Sequence, residues 1–532
     1  MLKKLLCLIS IFLLLFALPG CSDPIGITGS SDTGRITIQS ASTGIADTNP
    51  EIEGDNSRKP LDTLTFYIAG EEKKGSKEVL DKVSKACGLN IGLEFKYIDV
   101  SHSNELYSRK IKTVFASNEA FDALYVGTPE GYDLTNGGYG FADMARDGVL
   151  MDITELLPQY APDIFSQLDK KELEAAKIDG KVYAIPSLYS QALSITAEVD
   201  SDLMEKYGTG PIDTFEDYEN YLHAIKENEP DIIPGDADIL DEKMFMIPYG
   251  YVPLDEAVKL VIKWDDLKII PWEQTEEFEN VMSMLSEWQR KGYIASITGD
   301  PTEKKRASRL FLRAVSKEGP GRVEPSDEKT DRAYNFNEYL LYKGIKIPRI
   351  SPIGNVYRSP AIALNAKSKN AEKTLTFLNW VQSRQENYDL LMYGIEGKHY
   401  TLDGEKLVIP QKDEADPSFY PYWPGGPFQN LNYNRVLSKN KNFAEDYRKD
   451  YKEFILHRTA YAPNAGFHPD YRQLGAEVRD RVYEYQRLIT SSLIFENYDP
   501  GQMDSIIRRL KEAGTDKIVQ EIQRQFDEWR GE

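Results

Sequence analysis

The 532-residue chain has only three cysteines and five histidines, and its basic side chains are outnumbered, 64 Lys and Arg against 85 Asp and Glu, for a net charge of −21. Each shortage excludes something. A nucleic-acid binder needs a positive footprint that this balance denies it. The histidines (His102, His223, His399, His457, His468) are scattered, with no His-Glu-x-x-His and no Cys-x-x-Cys, so neither common zinc signature is met. No Gly-Lys-Ser/Thr follows a glycine run, which removes the ATP cradle, and no dinucleotide fingerprint is present. No Gly-x-Ser-x-Gly elbow occurs. In so acidic a chain carboxylate pairs are too common to mark a glycosidase dyad. No catalytic residue, metal or cofactor is expected.

Past residue 18 no apolar run approaches the roughly 18 to 20 residues that a spanning helix needs. The run before it, Leu5 to Leu18, is fourteen residues long, follows Lys3 and Lys4, and ends at small Gly20. That pattern is an export signal rather than a span. Leu18-Pro19-Gly20-Cys21 resembles the lipobox of bacterial lipoproteins, whose cysteine is diacylated and becomes the first residue. The resemblance implies lipidation at Cys21 and tethering to the outer face of the cell membrane, since two acyl chains make a stable anchor. Cys7 leaves with the signal and Cys87 is left alone, so no intramolecular disulfide is expected. Cys87 follows Val79, Leu80, Val83 and Ala86 on one apolar face and precedes a capping Gly88, which predicts a buried structural thiol.

Residues 22–59, rich in Ser, Thr, Gly, Asp and Asn, read as a flexible tether. At Leu64 the pattern changes. Leu64, Phe66 and Ile68 alternate as in a strand, a helix spans Ser76 to Cys87, and a second strand carries Leu93, Phe95 and Tyr97. Another helix follows from Tyr107 to Ala116, then a third strand from Phe121 to Val126. Strand and helix alternation predicts a sheet with helices on its faces. The third strand runs into Gly127-Thr128-Pro129-Glu130-Gly131-Tyr132 and Asn136-Gly137-Gly138-Tyr139-Gly140, and open α/β sheets place ligands at such carboxyl ends.

Further on, Phe215, Tyr218, Tyr221, Leu222 and Ile225 share one side of a helix. An acidic loop follows with Asp231, Asp236, Asp238, Asp241 and Glu242. It lacks the alternate-residue spacing and central glycine of a calcium loop, so it reads as solvated. Residues 254–300 show helical periodicity around Leu260, Val281, Met282, Leu285 and Trp288. At the end, Met503, Ile506, Ile507 and Leu510 form one stripe, Gly514 breaks the chain, and Ile518, Val519, Ile522, Phe526 and Trp529 form another. Both stripes read as core faces.

The order of strand, glycine-rich loop, Leu-rich helix and then Ile178-Asp179-Gly180-Lys181-Val182-Tyr183-Ala184-Ile185-Pro186 is similar to the extracellular solute-binding proteins, family 1, of bacterial ABC importers. Tyr393-Gly394-Ile395-Glu396-Gly397-Lys398-His399-Tyr400 and the ending from Leu510 to Trp529 resemble the LipO-like branch, which Ala465 to Asp470 follows only loosely. The resemblance implies an α/β, two-lobed periplasmic-binding-protein-like (type II) fold with a helical C-terminal region. Hinge crossovers would lie near Pro186 to Tyr189 and Pro352 to Pro360. One lobe would comprise 60–187 with about 355–435, the other 188–354 with about 436–532. It further implies a carbohydrate ligand between the lobes, permease subunits as partners, and an ATPase on a separate chain. The 32 Tyr, 21 Phe and 6 Trp supply rings that stack on sugar faces. Those in loops are the expected ligand contacts: Thr128, Tyr132, Tyr139, Tyr189, Tyr249, Tyr251, and Trp423 in Tyr420-Pro421-Tyr422-Trp423-Pro424. Each ring is as readily a half-buried packing residue. A peptide ligand, a sensory lipoprotein and a surface-anchored polysaccharide-active enzyme stay open.

Overall fold

The computed structural model describes residues 62–98, 104–126, 140–168, 170–188, 192–210, 212, 215–235, 246, 249–255, 257–294, 305–315, 331–335, 339–342, 345–351, 361–410, 420, 428–430, 432–435, 459–490 and 498–531. Cys21, the tether, the 352–360 crossover and most of the acidic loop lie outside them. Among the described residues no helix is long and apolar enough to cross a membrane.

The predicted alternation is present as strand Asp62–Ala69, helix Ser76–Ala86, strand Ile91–Ile98, helix Asn104–Ser117 and strand Ala123–Val126. The three strands are parallel, with Asp62–Ala69 between the other two. The sheet is completed by Ala361–Leu364, antiparallel to Ala123–Val126, and by Ala184–Pro186 at the far edge. Leu64, Phe66 and Ile68 are buried as expected, but so are Thr65 and Tyr67, because both faces of a parallel sheet are covered. Phe66 centres the core, with Phe95 at 5.2 Å, Phe377 at 5.8 Å and Phe428 at 6.4 Å. Residues from 371–381 and 428 thereby close a core begun three hundred residues earlier. Cys87 caps its helix and is buried, and burial pushes its thiol pKa up.

From Pro186 the chain passes to a second group of strands. Ala192–Asp200 lies between Ser308–Val315 and Asp331–Asn335, antiparallel to both. The helix Phe215–Asn228 buries all five residues of its predicted stripe. Its Tyr218 phenol meets Ser308 Oγ at 2.9 Å and its Tyr221 phenol donates to the Ala307 carbonyl at 3.0 Å, fixing the helix to this sheet. Helix Glu276–Arg290 buries Val281, Met282, Leu285 and Trp288 in the same core. The expected helical periodicity at Leu260 is corrected: Leu260–Lys263 is the middle strand of an antiparallel meander with Tyr251–Asp255 and Ile269–Pro271. Leu260-Val261-Ile262 and Ile269-Ile270 are short and mostly β-branched, and the turn residues Asp265-Asp266 separate them, a hairpin composition.

A third core joins that meander to the C-terminal helices Gly475–Tyr485 and Thr515–Arg530, while the helix between them, Met503–Glu512, buries Met503 and Leu510 in the core of the helices Phe215–Asn228 and Glu276–Arg290. Gly514 holds φ +103° at the break, and a Cβ there would sit 2.8 Å from Glu477 Cβ. Arg481, fully buried, donates to Glu273 through both terminal nitrogens at 3.0 and 3.1 Å, to Thr515 Oγ1 at 2.8 Å and to the Val258 carbonyl at 2.9 Å. Ile518, Ile522 and Phe526 are buried as predicted, but Trp529, one turn further, is 45% exposed. Its place on the stripe does not bring it under cover.

Candidate ligand-binding site

Sheet register places the described residues that flank the expected ligand contacts. Ala361 pairs with Val126 on one side and with Pro186 on the other. Val126 and Pro186 therefore lie at the same end of the sheet, separated by one strand, or roughly 10 Å at 4.8 Å per spacing. Three segments of the chain adjoin the described residues at this end. The Gly- and Tyr-rich loop departs after Val126, the crossover departs after Pro186, and the 352–360 return enters before Ala361. Thr128 is two residues from Val126 and Tyr189 three from Pro186; both, with Tyr132 and Tyr139, lie outside the described residues. The described residues resume at Gly140, where a short helix Phe141–Arg146 begins.

The crossover is anchored by polar groups that sequence reasoning did not single out. Leu188 forms a parallel bridge with Asn430. Asn430 is buried and donates its amide to Gln382 Oε1 at 2.9 Å and to Gln167 Oε1 at 3.1 Å. Gln167 also accepts from Asn432 Nδ2 at 3.0 Å, and Gln382 donates to the Phe428 carbonyl at 2.7 Å. The Asn-rich stretch Asn430-Leu431-Asn432-Tyr433-Asn434 was the available signal, but its partners lie up to 265 residues away. Ser187, on the crossover and 3% exposed, has a hydroxyl with no hydrogen-bond partner among the described residues.

The remaining candidates divide by their surroundings. Tyr251 is 3% exposed, edge-on to Trp272 at 5.6 Å, and donates its phenol to Glu277 at 2.8 Å. Burial and that carboxylate push its pKa well up. Its ring packs the second core, and Tyr249 packs half-buried against the same core. Trp423 lies outside the described residues, but both ends of its cluster are fixed. Tyr420 donates to the Leu391 carbonyl at 2.6 Å and packs on His399, while Phe428 stacks on Phe95 at 5.8 Å and 2°. Tyr420 is thus a packing residue of the first core.

The segment 462–470 connects cores. His468 Nε2 lies 2.8 Å from the Ala175 carbonyl, an acceptor only, so Nε2 carries the proton. Arg146 donates to the His468 carbonyl at 2.7 Å, and the Phe141 ring lies edge-on to the imidazole at 5.7 Å. Burial, with the Arg146 charge adding, lowers the His468 pKa to about 4. No group of three or more His, Cys, Asp or Glu among the described residues could hold a metal ion.

A family model described as "Domain of unknown function (DUF3502)" matches residues 475–531, the three C-terminal helices. A carbohydrate ABC transporter substrate-binding protein of Streptococcus pneumoniae is 23% identical over 499 residues, covering 90% of this chain and 93% of that protein. The N-glycan transport solute binding protein NgtS of the same organism superposes with a TM-score of 0.69 at 19% identity, covering 88% of this chain and 98% of that structure. An HMO-binding solute binding protein from Bifidobacterium longum infantis gives 0.57 at 13% identity, covering 88% and 99%. These neighbours are two-lobed, and the present chain shares their fold. In fold and in sequence the chain is similar to the extracellular solute-binding proteins of carbohydrate ABC transporters.

Proposed function

We propose that the chain is the lipid-anchored, extracytoplasmic solute-binding component of an ABC importer. In this reading it captures an oligosaccharide between two lobes, residues 60–187 with about 355–435 and residues 188–354 with about 436–532, and delivers it unchanged to permease subunits. The observation that carries the reading is the register that sets Val126, Pro186 and Ala361 at one end of the sheet, since these are the described residues that flank the 127–139 loop and both crossovers in the chain. A ligand held there touches the segments whose backbone must rotate when two lobes close. Binding and hinge closure are then one equilibrium. Relatives support the ligand class: NgtS has been solved with Man1GlcNAc and with Man5GlcNAc. Thr128, Tyr132, Tyr139, Tyr189 and Trp423 are the proposed contacts, with Tyr249 from the second core. Tyr251 supports them by packing.

The test is thermal shift of the full chain in detergent against oligosaccharide and peptide panels, with calorimetry on every hit and chromatography of the recovered ligand. Ligand at about a hundred times Kd stabilises the folded protein by roughly 2.7 kcal/mol. Stabilisation by glycans that are recovered intact is expected. Glycan cleavage, or stabilisation by peptides alone, overturns the reading.

A further inference from the structure

A cleft of about 710 Å³ lies where the C-terminal helix and the 466–473 loop face the end of helix Phe141–Arg146 and the 174–180 turn, and none of Val126, Pro186 and Ala361 lines it. Its volume is that of an ordinary small-molecule site. Trp529 lines it and is 45% exposed, with Phe467 and Phe526 behind the ring at 5.6 and 5.7 Å. It is an aromatic ring backed by two others and partly open to solvent.

The lining charges are engaged with one another. Arg472 holds Asp470 through two nitrogens, at 2.6 Å for the shortest contact, and Arg524 holds Glu521 at 2.6 Å and also Glu528. Lys177 meets Glu174 at 2.6 Å, and Arg146 is committed to the His468 carbonyl. Arg472 keeps Asp470 below the usual carboxylate range, and Arg524 takes Glu521 down to about 2, so these acids stay ionised and paired. With four cationic and five acidic side chains in the lining, no excess of positive charge awaits an anion, and every cation already has an acceptor. What such paired edges still offer is spare carboxylate lone pairs and guanidinium hydrogens side by side. Hydroxyl groups, which donate and accept, satisfy both at once; a phosphate or a metal ion satisfies one and breaks the other.

We infer that this cleft is a second binding site for a neutral saccharide, stacked on Trp529 and hydrogen-bonded to the Asp470–Arg472 and Glu521–Arg524 edges. The site gives the C-terminal helices a ligand-binding role, since Glu521, Arg524 and Trp529 all lie within residues 475–531. It stands independently of the sheet-edge site.

Carbene footprinting of the full chain in detergent reads both places in one digest. The probes are mannobiose, chitobiose and maltotriose, with digalacturonate as the charged control. At least one neutral probe is expected to lower labelling of Trp529 and of the 466–473 peptide several-fold. Trp529→Ala should weaken that protection at least about fivefold, and Trp529→Phe should keep most of it. Unchanged labelling at Trp529 with all three neutral probes overturns the inference, as does equal or better protection by digalacturonate. Protection confined to the 127–139 peptide would sink this site while leaving the proposed function intact, and protection confined to the cleft would do the reverse.

Discussion

His468 should make this protein acid-sensitive in a way that one substitution removes. The imidazole is 6% exposed, donates to the Ala175 carbonyl and lies near the Arg146 guanidinium, so a second proton would put a charge in a buried place beside a like charge. Its pKa falls from 6.5 to about 4 on folding. The unfolded chain therefore binds a proton at a higher pH than the folded one, and stability is lost as pH drops from 6.5 toward 4. Weighting the two titrations gives a loss of about 2 kcal/mol between pH 7.5 and pH 5, approaching about 3 kcal/mol below pH 4. His468→Gln keeps a donor for Ala175 but cannot titrate. At pH 7.5 the variant should be less stable by about 1 kcal/mol, the worth of an imperfect hydrogen bond. Urea unfolding at pH 7.5, 6.0 and 5.0 separates the two effects, because other carboxylates and histidines titrate equally in both proteins. The variant should lose about 2 kcal/mol less than the parent over that range. Parallel losses would refute the assignment of a neutral, buried His468.

Arg481→Met leaves the Glu273 carboxylate buried without its cation and should cost about 3–5 kcal/mol in urea unfolding, while Arg481→Met with Glu273→Gln should recover part of it. Gly514→Ala forces a side chain into a left-handed backbone against Glu477 and should destabilise by about 1–3 kcal/mol; an unchanged melting temperature would mean that the two last helices need no such break. Cys21→Ser should move the protein from the membrane fraction to the soluble fraction in detergent-free lysates, and retention in the membrane would remove the lipid anchor from the proposed function.

Local periodicity carried most of the fold. Leu64, Phe66 and Ile68 announced a strand, and Phe215 to Ile225 a helix, because one buried face repeats every two residues or every three to four. Leu260 misled because the meander has strands of five, four and three residues, too short for a period to declare itself, so composition and turns were the better guide. Trp529 misled for the opposite reason. Its spacing from Phe526 is helical, but spacing only says which side of a helix a ring lies on, not whether anything lies opposite. The Asn430–Gln167–Gln382 cluster had only the Asn-rich stretch as a local signal, and nothing local pointed to its partners, which lie 48 and 263 residues away.

The same distinction orders the candidate site. Tyr251 and Tyr420 looked alike in sequence, as aromatic residues beside glycine or proline, and each phenol is held by a neighbour on the core side, Glu277 and the Leu391 carbonyl. A phenol inside a strand must find an acceptor within the protein, because no water reaches it. A phenol in a loop leaving a sheet edge meets no such demand and can keep its hydroxyl for a ligand. Under the proposed function Tyr132, Tyr139 and Tyr189 belong to that second kind by their place in the sequence, after Val126 and Pro186, and Thr128 would offer its hydroxyl in the same way. If Tyr132→Ala with Tyr139→Ala leaves glycan affinity unchanged while a ring substitution in the second core abolishes it, position at the sheet edge is the wrong criterion. A loss of at least about tenfold, with the fold intact by circular dichroism, is the expected result, since two stacked rings together contribute about 1–3 kcal/mol beyond buried area.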